Sequence, residues 1–592
     1  MRQGNRLPLA ALLFSLILLG VVVLTRPAET PSVTLTPTRR VTSAVTIIAA
    51  IPPTPTAAPT FTPAPTLPPR PVDTTTLNEA VITPTCFLKV NPLLAGYNAA
   101  DRDAAALIFE GLMTLDPYGA PIPLLAAETP RISGDGLTYV IRLRQDVRWQ
   151  DGEPFSADDV AYTIALMQDP AFPGAAELYT FWRTVELDVL DPYTVRFTLA
   201  QPLGIFLDYL RIGILPEHAL RGTSGEALRT HPFNLAPIGT GAYQFDGLIG
   251  DGTRLTGLRL RRATTHTARP EGASGYSVTT ITLRCYPTWE DAIAAYSRGD
   301  VLTISDIPSS VVNQISSLPL LPLAAYRPAL GAVIYNYTRD SVAFFRDQRM
   351  RRALALATDR QTLVTNYLKD RAIVADSPIL PNSWAYAPGA NCPTYNPDSP
   401  SAARDSLSLV QITPPPDPNT GVTPSEYRFE LLVPNDAGLA ALAQAMSDGW
   451  RERLSIRVDL VVVDATTFRE RLIAGSFDAA LVELNLAPSA DPDPYSLWRQ
   501  MPSEGGLNFG GLSDRLIAEL VEEGRMATGA VRVDVYRRFQ QTFCDRASAL
   551  VIYFPVTYYG VDTLLSGVQL GFLSQPGDRF RTLREWVIAP SR

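Results

Sequence analysis

The stretch RWQDGEPFSADDV, Arg148–Val160, packs Asp151, Glu153, Asp158 and Asp159 into nine positions, the densest run of carboxylates suited to chemistry. Carboxylates this close could hold a divalent cation or divide the work of acid and base between them. A calcium loop, however, needs a denser set of oxygen ligands, and this spacing does not match its pattern. Local structure accounts for the cluster better. Asp151-Gly152 is a turn dipeptide behind a strand that ends at Trp149. Ser156 suits a helix N-cap, and Asp159 stands three residues on, where a carboxylate reaches back to the cap amide as a capping box requires. Asp158 and Asp159 also occupy the first turn, where the helix dipole favours negative charge. The helix then continues through AYTIALM, so the cluster is expected to be structural.

Other catalytic material is thin. The three histidines, His218, His231 and His266, are scattered, which suits neither a histidine metal site nor a Ser/His/Asp triad. Neither GxSxG nor HExxH occurs, so a hydrolase is disfavoured. Cys86, Cys285, Cys392 and Cys544 are widely spaced, with no CxxC pair. Their even number allows up to two disulfides in three connectivities, with unpaired buried thiols as the alternative. The formal charge of −8, from 51 basic and 59 acidic residues with no basic stripe, excludes nucleic acid as a partner.

A chain of 592 residues exceeds one ordinary domain. At its start, Arg2 and Arg6 precede the uncharged run PLAALLFSLILLGVVVLT, Pro8–Thr25. As a helix this run spans about 27 Å, near the thickness of a bilayer's hydrocarbon core. No good cleavage site or lipidatable cysteine follows it, so residues 1–26 are read as a transmembrane anchor, with a removed signal as the alternative. Residues 27–75 are rich in Pro and Thr, and proline's missing amide and fixed φ keep such a stretch from nucleating helix or sheet. It is expected to be an extended linker holding the globular remainder outside the cell. From about residue 76 the pattern becomes mixed α/β. LTYVIRLR alternates as a half-buried strand does, as TITLRCYP, YRFELLVP and ALVIYFPVTYYGV also suggest. QRMRRALALATDRQTLVTNYL, Gln348–Leu368, reads as one long helix, and SDRLIAELVEEGRM and RVDVYRRFQQTFCD read as amphipathic helices near the end.

Several blocks together resemble the family 5 solute-binding proteins of ABC transport, the dipeptide- and oligopeptide-binding type. They are Asn91-Pro92, IFEGL (Ile108 to Leu112), Asp116, DGLTYVIRLR, RWQDGEPFSADDV, PIGTGAY (Pro237 to Tyr243), RDQRMRRALALATDR, DPDP (Asp491 to Pro494) and NFGGLSD (Asn508 to Asp514). They span about residues 80 to 560 in the family's order. Two departures stand out: Glu128-Thr129 replaces a usual tryptophan, and the usual WHDG is Trp149-Gln150-Asp151-Gly152.

The resemblance implies an α/β, two-lobed periplasmic-binding-protein-like fold (type II, cluster C) with discontinuous lobes. By sequence order, lobe I combines 76–338 with 553–592 and carries a subdomain at about 116–230, and lobe II is 339–552. GAVIYNY (Gly331 to Tyr337) and ALVIYFPV (Ala549 to Val556) become the expected hinge crossings. The implied function is non-enzymatic and uses no cofactor: an extracytoplasmic, monomeric protein, tethered to the cytoplasmic membrane, captures a peptide or similar small solute for ABC permease subunits. An anchored sensor with the same lobes, or a binder of a sugar or nickel chelate, is the alternative. In peptide-binding members a carboxylate before an Asp-Pro pair holds the ligand's α-amino group. An ungapped alignment puts Ala490 there and a one-residue gap puts Asp491 there, which makes Asp491 the candidate. Asp491 and Asp493 can equally start a turn or cap YSLW. Trp498, Asn336 and Tyr337 are candidates to line the cleft, with core packing as the alternative. Asn508 is a candidate for ligand contact or loop bracing.

Overall fold

The computed structural model describes residues 72–590, apart from 88, 251, 253, 268–274, 309–310, 391, 417–420 and 486–490. The expected anchor, the Pro/Thr-rich linker up to residue 71, and Ala490 lie outside the described residues. No helix among the described residues is long and apolar enough to cross a membrane.

A twelve-stranded mixed sheet runs through the described residues, in two halves joined by the strand Leu550–Asp562. The first half of that strand pairs antiparallel with Ala329–Tyr335, matching Leu550 to Val333 and Val551 to Ala332. Its second half pairs with Leu320–Tyr326 and with Thr303–Ile307. Beyond Thr303–Ile307 lie Thr76–Ile82, Thr280–Tyr286, Leu255–Arg262 and Tyr243–Gly250. On the other side, Ala329–Tyr335 is followed by Ala479–Asn485, Arg428–Pro434 and Arg457–Val463. The chain therefore passes between the halves twice, at Arg327–Pro328 and within Leu550–Asp562. Most strands of the Ala329–Tyr335 half are apolar on both faces, as a sheet covered on both sides must be. One cover is built around Phe477, Tyr536 and Phe539, the other around Phe345, Met350 and Trp450.

A separate four-stranded sheet, ordered Arg131–Ile132, Thr138–Arg142, Thr194–Leu199 and Val185–Asp191, carries the helix Ala157–Gln168. Tyr139 and Ile141 are buried and Arg142 is exposed, as the alternation predicts. The acidic stretch is structural here. The Ser156 hydroxyl accepts from the Asp158 amide, and Asp159 Oδ2 accepts from the Ser156 amide at 2.9 Å, which forms the expected capping box. Asp159 also accepts from the Glu217 amide and the Trp149 indole, and Asp151 pairs with His218 at 2.8 Å. Gln150 explains why two distant blocks belong together. Its side-chain amide donates to the Gly241 and Tyr243 carbonyls and accepts from the Gly239 amide, stitching this turn to PIGTGAY. A Cβ at Gly239 would fall 1.9 Å from the Ile108 carbonyl oxygen, so only glycine fits that approach.

The disulfides are Cys86–Cys285, with Cα atoms 5.6 Å apart, and Cys392–Cys544, with Cα atoms 4.2 Å apart. The segment expected as one helix over Gln348–Leu368 is divided. Gln348–Leu356 ends at Ala357, and Asp359 caps a fresh start at Arg360 by accepting from the Thr362 amide. Thr358 is drawn into the core instead, accepting from the Trp450 indole at 2.9 Å. A capping Asp offers the backbone an alternative to continuing the helix, and that local preference overrides the apolar periodicity.

Candidate functional site

A cavity of 630 Å³ lies where the four-stranded-sheet subdomain meets the helices that follow Ala479–Asn485. One wall comes from Phe181, Tyr209 and the turn Gln201–Ile205, the other from Asp491–Asp493, Tyr495, Gln500, Leu507 and Arg525. The aromatic part of the first wall is rigid, because Phe181 and Tyr209 stack at 3.8 Å and 15°. Burial, followed by the nearby Asp208 carboxylate, pushes the Tyr209 phenol above its ordinary value, so it remains a neutral donor and acceptor.

The second wall is built on two acid–arginine pairs. Helix Gly529–Asp545 presents Arg532, which grips both oxygens of Asp491; Nη2 reaches Oδ1 at 2.9 Å, and Nη1 bonds Oδ2. Arg532 also donates to the Gly524 carbonyl at 2.9 Å and the Tyr536 hydroxyl at 2.7 Å. Both side chains are about 95% buried or more, at 5% and 3% exposure. Burial works against the Arg532 charge, but Asp491, Tyr536 and Asp493 hold its pKa above the ordinary value, so it stays protonated. In the second pair, Arg525 Nε lies 3.5 Å from Asp493 Oδ2, and the guanidinium sits over the Tyr495 ring at 4.0 Å. Burial and then the Asp491 charge push the Asp493 carboxyl up to about 6, against the pull of Arg532, the Tyr495 amide and Arg525.

The two walls touch at Gly204. Its amide donates to the Arg525 carbonyl at 2.5 Å, and its carbonyl accepts from Arg532 Nη1 at 3.1 Å. A Cβ there would stand 2.8 Å from the Ala527 carbonyl oxygen and 2.9 Å from Arg532 Nε, so the approach requires glycine. A second touch runs from the Trp384 amide to the Tyr118 carbonyl at 2.9 Å.

Of the residues singled out in the sequence, Asp491 and Asp493 line the cavity. Both also act in turns: Asp491 Oδ1 accepts from the Asp493 amide, and Asp493 Oδ1 accepts from the Tyr495 amide, each at 3.0 Å. Trp498, Asn508, Asn336 and Tyr337 lie elsewhere. Trp498 is buried with its ring 4.6 Å from Phe543. Asn508 braces its loop through the Leu512 amide and carbonyl, and Asn336 donates to the Gly475 and Phe477 carbonyls. The Tyr337 hydroxyl donates to the Ser548 carbonyl at 2.6 Å. Arg525, Arg532, Tyr495 and the Gln201–Ile205 turn escaped the sequence reading. Only the adjacency of Tyr495 to DPDP offered a signal. Among the described residues no group of three or more His, Cys, Asp or Glu side chains is placed to hold a metal ion.

Residues 120–506 match the family described as bacterial extracellular solute-binding proteins, family 5. The oligopeptide-binding protein AppA of Bacillus subtilis is 21% identical over 79% of this chain and 84% of its own length. A probable di/tripeptide-binding protein of Pseudomonas aeruginosa is 25% identical over 74% of this chain and 83% of its own. Among solved structures, NikZ of Campylobacter jejuni in complex with Ni(L-His) is 25% identical and covers 87% of this chain and all of its own, with a TM-score of 0.61.

Proposed function

The chain belongs to family 5 of the bacterial extracellular solute-binding proteins, and from that premise we propose that it binds short peptides between two lobes and yields them unaltered to the permease of an ABC importer. The cavity shared by both walls carries this reading. Its volume falls within the range of about 300–1,000 Å³ usual for small-molecule sites. Its aromatic surface and two compensated charge pairs suit a ligand that is amphipathic and bears both signs of charge, as a peptide does. The names of the Bacillus and Pseudomonas relatives point the same way.

In this reading the first lobe holds the subdomain at about 116–230 and the C-terminal return, and the second lobe follows the crossing. We draw the boundary at about 328 instead of 338, a choice supported by the pairing of Ala329–Tyr335 along its length with Ala479–Asn485. The two crossings, at Arg327–Pro328 and around Tyr553–Val556, are the hinge, and ligand binding favours the closed arrangement by touching both lobes at once. Asp493 and Arg525 meet the ligand's charges, and Asp491 positions them through Arg532. The protein works as a monomer held to the cytoplasmic membrane by residues 8–25.

Mass spectrometry of small molecules released by denaturing the natively purified chain tests the reading. A mixture of short peptides supports it, and a uniform sugar or lipid overturns it. The nickel–histidine ligand of the Campylobacter protein favours a second reading, an amino-acid chelate, which the same spectrum would reveal as a metal-bearing species.

A further inference from the structure

Resting on the peptide reading of the cavity, we propose that Arg525 is the residue that reads a carboxylate on the ligand and so sets which charges the protein accepts. It is the one cation among the described residues lining the cavity. Its neighbour on the next helix, Arg532, is satisfied by Asp491, Tyr536 and the carbonyls of Gly524 and Gly204. Arg525 has no such set. Its Nε is buried without a hydrogen-bond partner among the described residues, and at 3.5 Å the Asp493 carboxylate attracts it without forming a well-made bond. A guanidinium carries five donors in a fixed fork that matches a carboxylate edge on. Seated over the Tyr495 ring, it is held in place by that platform while its donors remain for the cavity.

Two further features fit this role. The Arg525 carbonyl is the group that accepts the Gly204 amide from the opposite wall, so the reading residue sits at the point where the walls meet. Asp493, which would lose its counter-charge to an anionic ligand, already has a carboxyl raised to about 6 by burial and Asp491. The groups facing it are Asp491 on its own segment, Arg525, Arg532 and Tyr536 on the two helices, and Tyr209 across the cavity, near Asp208. Arg532, the Tyr495 amide and Arg525 oppose a proton there, and a ligand carboxylate engages the last of them. Capture of an anionic ligand therefore takes up a proton at Asp493, and affinity for it rises as pH falls from 7.5 to about 6.

Calorimetric titration of the full-length chain with tri-alanine, tri-alanine amide and Ala-Glu-Ala amide tests the proposal. The wild-type chain is expected to bind a carboxylate-bearing peptide about ten- to a hundredfold more tightly than tri-alanine amide, the span of a charge-assisted bond. Preference for tri-alanine identifies a main-chain carboxylate as the group read, and preference for Ala-Glu-Ala amide identifies a side-chain one. Arg525→Gln should bind all three within about threefold of one another, and Arg525→Lys should keep part of the preference. Because Arg525 is held among the described residues only by a 3.5 Å ion pair with Asp493 and by the Tyr495 ring, the variant's unfolding temperature should fall far less than that of Asp491→Ala. Undiminished preference in Arg525→Gln, or a wild-type chain indifferent to the carboxylate, overturns this inference and leaves the peptide reading standing. A wild-type chain that binds none of the three overturns both.

Discussion

Replacing Asp491 by alanine is the sharpest test of the acid–arginine wall. The carboxylate is 3% exposed and both of its oxygens are held by Arg532, itself 5% exposed. Removing it leaves a buried guanidinium facing an empty space, and breaking a buried pair from one side typically costs about 3–5 kcal/mol. The Asp493 amide also loses its acceptor. For a unit the size of the second lobe, 1 kcal/mol moves the unfolding temperature by about 2–4 °C, so the expected fall is about 6–20 °C in differential scanning calorimetry. Replacing both partners by apolar residues, Asp491→Leu with Arg532→Met, removes the stranded charge and should recover a large part of that loss. Affinity should drop equally for a free-amino peptide and its N-acetylated form if Asp491 acts through the wall, as proposed, and not on the ligand's amine. A fall below about 2 °C, or a double variant as damaged as the two single ones added together, refutes the buried-pair reasoning. A loss confined to free-amino peptides instead assigns Asp491 to the amine itself.

Three further outcomes are expected. Gly204→Val places a side chain 2.8–3.1 Å from the Ala527 and Arg525 carbonyls and Arg532 Nε, so peptide affinity should fall at least about tenfold, and X-ray scattering should show a more open particle with an unchanged unfolding temperature. Cys544→Ser opens a loop closed across 152 residues and should lower stability by about 2–5 kcal/mol, read as a lower denaturant midpoint under oxidising conditions, with Cys86–Cys285 still closed. For Asp493 the folded carboxyl is raised to about 6, so the folded state binds its proton more readily than the unfolded one. Its contribution to stability is greatest below the unfolded value, declines as pH rises towards 6, and is flat above. Asp493→Asn should remove that slope and stabilise the chain at pH 7 by up to about 3 kcal/mol; an undiminished slope between pH 4 and 6 in urea titrations counts against the assignment.

What could be read from the sequence follows a physical division. Strand alternation and helix capping depend on residues a few positions apart, and these were legible: Tyr139 and Ile141 face inward, and Ser156 with Asp159 forms the expected box. The divided helix over 348–368 was missed because two local preferences competed there, and the Asp359 cap prevailed over the apolar period. The blocks carrying the family resemblance also found physical reasons, since Gln150 of one bonds the glycine loop of another across 89 and 91 residues. That partnership was invisible beforehand, because an amide in a turn carries no mark of its distant partner.

The candidate site divides in the same way. The DPDP block drew attention because acids beside prolines are conspicuous in one dimension, and two of its acids do stand on the cavity wall. Whether such an acid is available to a ligand, however, depends on what neutralises it, and that partner lies 41 residues on for Asp491, inside an ordinary amphipathic helix. Arg532 reads in the sequence as one of several arginines in RVDVYRRFQQ, yet it is the one taken into the interior, while Arg537 and Arg538 pair with Asp534 on the outer face of the same helix. The helical period separates the inward arginine from the outward ones, because Arg532, Tyr536 and Gln540 recur at intervals of four and are all buried. A buried arginine on an apolar stripe demands a carboxylate from elsewhere in the chain, and Asp491 answers that demand. Once Arg532 has claimed Asp491, the next arginine and the next acid, Arg525 and Asp493, remain on the wall 3.5 Å apart, and in the proposed reading it is this second, looser pair that exchanges its partners for those of a ligand.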